Sequence, residues 1–194
     1  MNACADSIRV VHPLFQAEGG GSIPTSALQF HMGWMNVKVA VILNHLWHSS
    51  LPVFTGLPEK CKAIGAVHDG LYHATAIWSH PVARKLNWTG RYELRRFAIG
   101  PEAPKNTASR MLRVMRLLVA RKFPDVSILM SYQDKDSHMG TIYRAAGWLP
   151  VSDNEVPRDG WHTRQGRAAT QTNAAKVRWE YQLRRIDRET PKIS

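Results

Sequence analysis

The chain has 194 residues, 44% of them hydrophobic, which suits one α/β or α+β domain with a sizeable core. No apolar run approaches the about 18 residues that a membrane-spanning helix needs, so a helical membrane protein is excluded. Lysine and arginine number 26 against 15 aspartate and glutamate, giving +11, a balance that favours a polyanionic partner, most often nucleic acid.

The chain begins MNACADSIRVVHPLF, without a charged segment followed by a long apolar stretch, so no secretory signal is expected. Cys4 and Cys61 lie far apart and match no metal spacing. They read as free thiols, and the expected compartment is the cytoplasm.

In chain order, FQAEGGGSIPTSALQF is a loop, and SALQFHMGWM is expected to be a strand. VKVAVILNHLWHSS is predicted as a helix with Val39, Ile42, Leu43, Leu46 and Trp47 on its apolar face. CKAIGAVHDGLYHATAIWSHP is a predicted hairpin around Asp69-Gly70, a type I′ turn signal. YELRRFAI is the next strand. TASRMLRVMRLLVARKF is the clearest helix, with Asn106 or Thr107 to cap it and Met111, Leu112, Met115, Leu118 and Val119 as its core stripe. VSILMSY is a buried-type strand, and HMGTIYRAAGW a short helix closed by Gly147 in the left-handed conformation. LPVS is expected to be a last short strand. The strand–helix–strand passage near the end implies a parallel pair with a crossover helix, and the hairpin implies antiparallel strands. A mixed sheet with helices on both faces follows. Residues 1–152 are expected to form the catalytic domain, 1–36 being its N-terminal loop and strand. Residues 153–194 read as a basic extension, partly ordered, with Trp161, Trp179 and Tyr181 among its arginines.

Several groups carry chemistry. The helix opening near Thr107 offers free backbone amides and a positive dipole end, with Lys105 and Arg110 adding charge. It reads either as an anion site or as an ordinary capped helix. Asp134 and Asp136 follow the strand SILMSY, where α/β proteins place ligands; His138 and Tyr143 come next. A histidine can serve as base and a tyrosine as acid, or these residues merely cap and pack. His45 and His48 sit three apart at a helix end, a spacing that permits a metal only if a carboxylate joins it, and no metal is assigned. On YELRRFAI, Glu93 and Arg95 are expected on one face and Leu94 and Arg96 on the other. A buried Glu93 needs a partner, and Arg95 can be one.

Taken together, ELRRFAIGPEAPKNTASRML and FPDVSILMSYQDKDSHMGTIYRAAGW, with WHSSLP and GAVHDGLYHATAIWSHPVAR upstream, resemble the phage Mom proteins. These look like divergent members of the GNAT acetyltransferase superfamily. The resemblance covers roughly residues 40 to 150. It implies a GNAT-like fold, a mixed and mostly antiparallel central sheet whose fourth and fifth strands splay around a cofactor. It also implies transfer to the N6 amino group of adenine in double-stranded DNA, giving a carbamoylmethyl-type product that protects phage DNA from host restriction. Acetyl-CoA or a related acyl-CoA, or a glycine-like donor, would supply the group. By position, the resemblance makes His48, Asp134 and Tyr143 catalytic, matches Ser109 and Arg110 to the family's helix opening and puts His138 in the motif, at the substrate. From the residues themselves, Asn106 and Thr107 would join Ser109 and Arg110 in holding the cofactor, and Glu93, as a base, and Arg95 would lie at the substrate. Two departures stand out: Ser49 follows His48 where the family often has tyrosine, and PKNTASR replaces the usual glycine-rich phosphate turn. Two other functions fit the same residues, a conventional N-acetyltransferase on a small amine or protein, and a non-catalytic DNA-binding module. In the DNA reading the target adenine flips out of the duplex and the basic tail stacks on bases.

Overall fold

The computed structural model describes residues 22–48, 54, 58–83, 86–136, 139–154 and 175–184. A 3₁₀ turn, Ala27–Gln29, precedes β1 (His31–Met35) and α1 (Val37–Trp47). The hairpin is β2 (Cys61–His68) and β3 (Leu71–Ser79). Asp69 and Gly70 both have positive φ, as a type I′ turn demands. Then follow β4 (Arg91–Ile99), α2 (Thr107–Lys122), β5 (Ile128–Asp134), α3 (Thr141–Ala145), β6 (Leu149–Asn154) and β7 (Lys176–Gln182). The described strands form one sheet in the order β1-β2-β3-β4-β5-β7-β6. Every pairing is antiparallel except β4 with β5, which α2 connects as a parallel crossover.

The strand alternation divides the core between two faces. Ala63 and Ile77 pack with Ala40 of α1 and with Phe54. Their neighbours Ile64, Ala76 and Trp78 pack with Met111, Leu112, Met115 and Val119 of α2. The helices therefore cover opposite faces, as expected from the element order. The α2 stripe is the expected one. The α1 stripe is so only in part. Leu43 is buried with Val39 and Trp47 packed beside it, but Ala40 and Asn44 are the other buried residues, whereas Ile42 is 54% and Leu46 45% exposed. The small Ala40 lets α1 approach the sheet closely, which turns Ile42 and Leu46 outward.

The largest difference from expectation is β7. Lys176–Gln182 lies in the segment expected to be a basic extension, yet it is a strand inside the sheet, paired with β5 on one side and β6 on the other. The reason is its pattern. Val177, Trp179, Tyr181 and Leu183 alternate with polar residues and are all buried in the α2-side core. Trp179 is 1% and Tyr181 8% exposed, so neither is available to stack on bases. Trp161 lies outside the described residues.

Candidate active site

The site is built around a split in the sheet. β4 and β5 pair only over Arg91–Leu94 and Ile128–Ser131. Beyond Leu94 and Ser131 the two strands run on to Ile99 and Asp134 without pairing, leaving a V-shaped cleft. A bulge in β4 accompanies the split. Trp78 pairs with Leu94 and Ile77 with Arg96, so Arg95 is the extra residue. A bulge bends its strand and shifts the side-chain alternation by one. This corrects the expected facing, because Arg96 does not fall opposite Glu93. Arg95 and Arg96 both lie over the Phe54 ring, at 5.8 and 5.4 Å, on the α1 side.

Glu93 is buried just below the vertex. Its Oε1 lies 3.3 Å from Arg95 Nε, and its Oε2 accepts the Val82 N–H at 3.2 Å. Burial pushes its carboxyl above the ordinary range, although Arg95, the Val82 amide, Arg96 and Lys176 pull the other way. Lys176 of β7 stands beside Asp134 in the register. Its pKa is lowered by burial, with Asp134 opposing that shift. Asp134 ends β5 half-buried and accepts the Asp136 N–H at 3.0 Å; Asp136 itself is exposed.

Tyr143 approaches the vertex from the opposite, α2 side. Its hydroxyl is 2.9 Å from Ser131 Oγ, and Ser131 is the last β5 residue paired with β4. The ring lies in the core, so burial raises the phenol pKa, with the Ser131 hydrogen bond opposing. A phenol of that kind stays protonated at neutral pH.

The opening of α2 stands at the wide end of the cleft. Asn106 holds the left-handed conformation, φ 67°, and its side chain makes no capping bond. The expected cap is therefore absent. Thr107 Oγ1 donates to Pro104 O at 2.7 Å, and Ser109 Oγ to Asn106 O at 3.1 Å, so neither hydroxyl closes the helix end. Asparagine tolerates this backbone best after glycine. Arg110 contributes a buried Nε with no hydrogen-bond partner. An uncapped helix start beside such a guanidinium fits a pyrophosphate. At the other wall, Trp47 packs where a Gly100 side chain would stand, which brings the end of α1 to the β4–α2 connection. His48, half-buried, follows directly, its N–H bonded to Asn44 O at 2.9 Å.

The fold thus brings Glu93, Arg95, Asp134 and Tyr143 to the two lips and the vertex of one cleft, and Asn106, Thr107, Ser109 and Arg110 to one helix start. His138 lies outside the described residues. Ser131, Gln133, Lys176 and Trp179 also line or brace the cleft and were not anticipated. Among the described residues, no group of three or more His, Cys, Asp or Glu is placed to hold a metal ion.

A sheet parted between its parallel fourth and fifth strands, with an open helix start at the gap, is the GNAT acetyltransferase fold. Solved structures share it. The IAA acetyltransferase from Bacillus cereus aligns with TM-score 0.58 at 12% identity, over 79% of this chain and 99% of that one. The acetyltransferase from Bacillus subtilis in complex with CoA gives 0.57 at 12% identity, over 79% and 99%. A GNAT family acetyltransferase from Elizabethkingia anophelis with acetyl-CoA bound gives 0.55 at 10%, over 80% and 99%. No curated protein sequence matches the chain. The model of the Mom protein family matches residues 37–192, and the chain belongs to that family.

Proposed function

We propose that the protein is a transferase that modifies the N6 amino group of adenine in DNA with a carbamoylmethyl-type product, drawing on acetyl-CoA or a related acyl-CoA and on a glycine-like donor. The observation that carries this reading is the family match across residues 37–192, which spans both the cleft and β7. The cleft chemistry supports it. Asn106, Thr107, Ser109 and Arg110 would hold the cofactor pyrophosphate at the open start of α2. When bound, an acyl-CoA would supply an activated thioester carbon, which by itself gives an N6-acyl adenine and CoA thiol; the N–CH2 carbon and amide nitrogen of a carbamoylmethyl product would come from the glycine-like donor. Asp134 would orient the exocyclic amine and take its proton. Tyr143, whose phenol is protonated at neutral pH, would give a proton to the leaving group. Glu93, with Arg95, would face the acceptor from the α1 side, and His48 would contact the base or the donor at the cleft mouth. The surplus of +11 suits a phosphate backbone. The target adenine would leave the stack to bring its N6 amino group into the cleft.

The test is mass spectrometry of nucleosides from plasmid DNA made in cells producing the protein. A modified deoxyadenosine is expected, and only unmodified deoxyadenosine would sink the reading. A conventional N-acetyltransferase is the second reading, favoured by the acetyltransferases that share the fold. It gains if the purified protein shows no salt-dependent binding to DNA.

A further inference from the structure

We infer that Trp179, acting with Gln133, is the positioning device for Tyr143, so that β7 belongs to the active site as well as to the core. The inference rests on the proposed role of Tyr143 as proton donor. α3 has only five residues, too few to hold its own shape in water, so the aim of Tyr143 must be set from outside the helix. Two contacts set it. The Tyr143 hydroxyl meets Ser131 Oγ at 2.9 Å. The ring stacks on Trp179 with centroids 5.3 Å apart and planes 12° from parallel. Trp179 is in turn tied to β5, since its Nε1–H donates to Gln133 Oε1 at 2.7 Å. Ser131 and Gln133 are two residues apart on the same face of β5, at and just past the point where β5 leaves β4. Hydroxyl and ring are therefore both referred to the strand that forms one lip of the cleft. Trp148 closes the remaining side, edge-on at 5.8 Å.

The entry to α3 is fitted to this pair. Gly140 has φ 72°, and a side chain there would collide with the Trp179 ring and Gln133 Oε1. Arg144 also lies over the Trp179 ring, at 5.4 Å. Simple core filling would need only an apolar residue at 179. The indole N–H bound to a cleft-strand side chain is a further, directional constraint.

The test uses the full chain carrying Gln133→Leu, Trp179→Phe or Gly140→Ala, each alone and combined with Tyr143→Phe. Adenine modification in cells is read by nucleoside mass spectrometry. Each single change is expected to lower modification about 10-fold or more through misplacement of the phenol. None should lower it further once Tyr143→Phe is present. CoA affinity by calorimetry should stay within about twofold, because the α2 cradle is untouched. Trp179→Phe keeps the stack and should retain more activity than Trp179→Leu. Losses that add to that of Tyr143→Phe would overturn the inference. If Tyr143→Phe alone leaves modification intact, the proton-donor reading falls instead, and this inference with it. A second measurement needs no activity. In protein labelled at the tyrosine ring carbons, the Tyr143 ring resonances, which the Trp179 stack displaces, should move in Gln133→Leu and Gly140→Ala. Unmoved Tyr143 resonances in both would also overturn it.

Discussion

At the scale of single residues, the cleft is defined by how it treats protons. Tyr143 and Glu93 sit on opposite faces of the same vertex, and burial raises the pKa of both. For Tyr143 the result is a retained proton. Tyr143→Phe removes that proton and the Ser131 bond while keeping the ring stack. It is expected to cut adenine modification by about 10²–10⁴-fold, the usual worth of a placed acid. It should lower unfolding free energy by only about 1 kcal/mol, the net worth of one hydrogen bond. Comparable losses of fold and of activity in chemical denaturation and turnover assays would refute that division. For Glu93 the consequence is a pH dependence of stability. Its pKa is higher in the folded chain than the ordinary value of 4.5, so the folded state binds the extra proton. Stability from this group is full below 4.5 and declines as pH rises from there to the folded pKa. Glu93→Gln removes the titration. Compared with wild type across pH 4 to 8 by urea unfolding, Glu93→Gln should gain relative stability as pH rises. A relative gain as pH falls would show that Arg95 and Val82 outweigh the burial.

At the scale of elements, most of the fold was legible because it is local. Asp69-Gly70 announces its hairpin, Gly147 its helix end, and Met111 to Val119 the buried stripe of α2. The misses have separate causes. The α1 face differs from expectation at Ile42 and Leu46, because Ala40 and Asn44 carry little apolar weight and close approach to the sheet decides which side turns in. Arg95 shares the Glu93 side as expected, but the facing of Arg96 differs because a bulge is a pairing event, invisible in one strand alone. β7 was misread although its alternation of Val177, Trp179, Tyr181 and Leu183 is plain, since arginine-rich composition was given more weight than period. What no local pattern could reveal is its insertion between β5 and β6. The residues of the cleft were mostly nameable from the sequence, but their grouping was not, because the vertex exists only where β4 and β5 part. The start of α2 supplies a prediction at this scale. Asn106 holds φ 67° without a capping bond, so its use is conformational. Asn106→Gly should preserve both stability and CoA affinity. Asn106→Ala should lower stability by about 1 kcal/mol and weaken CoA binding, because a Cβ without a compensating side chain disfavours the left-handed region. Equal affinity of the Gly and Ala variants in calorimetry would remove the conformational argument.

At the scale of the molecule, the placing of β7 makes the chain one cooperative body from β1 to the C-terminal strand. β6 is an edge strand whose described partner in the sheet is β7, and β5 has β7 as its long antiparallel neighbour. A chain cut after Ser152, where composition changes, would keep every described helix and the first five strands, with β6 cut short by two residues, yet lose that middle partner. It would also lose four buried side chains, Val177, Trp179, Tyr181 and Leu183. At about 1.5–3 kcal/mol for each buried apolar side chain, the loss is roughly 6–12 kcal/mol. That is comparable to the whole stability of an ordinary domain, about 5–15 kcal/mol. The cut would also leave β5 with unpaired backbone groups along a hydrophobic strand, an invitation to aggregate. The 152-residue chain is therefore expected to show no cooperative thermal transition and to lose the dispersed amide spectrum of the full chain. Were it to melt cooperatively within a few degrees of the full chain, β7 would be an accessory to the sheet, and the coupling of Trp179 to Tyr143 would lose its structural basis.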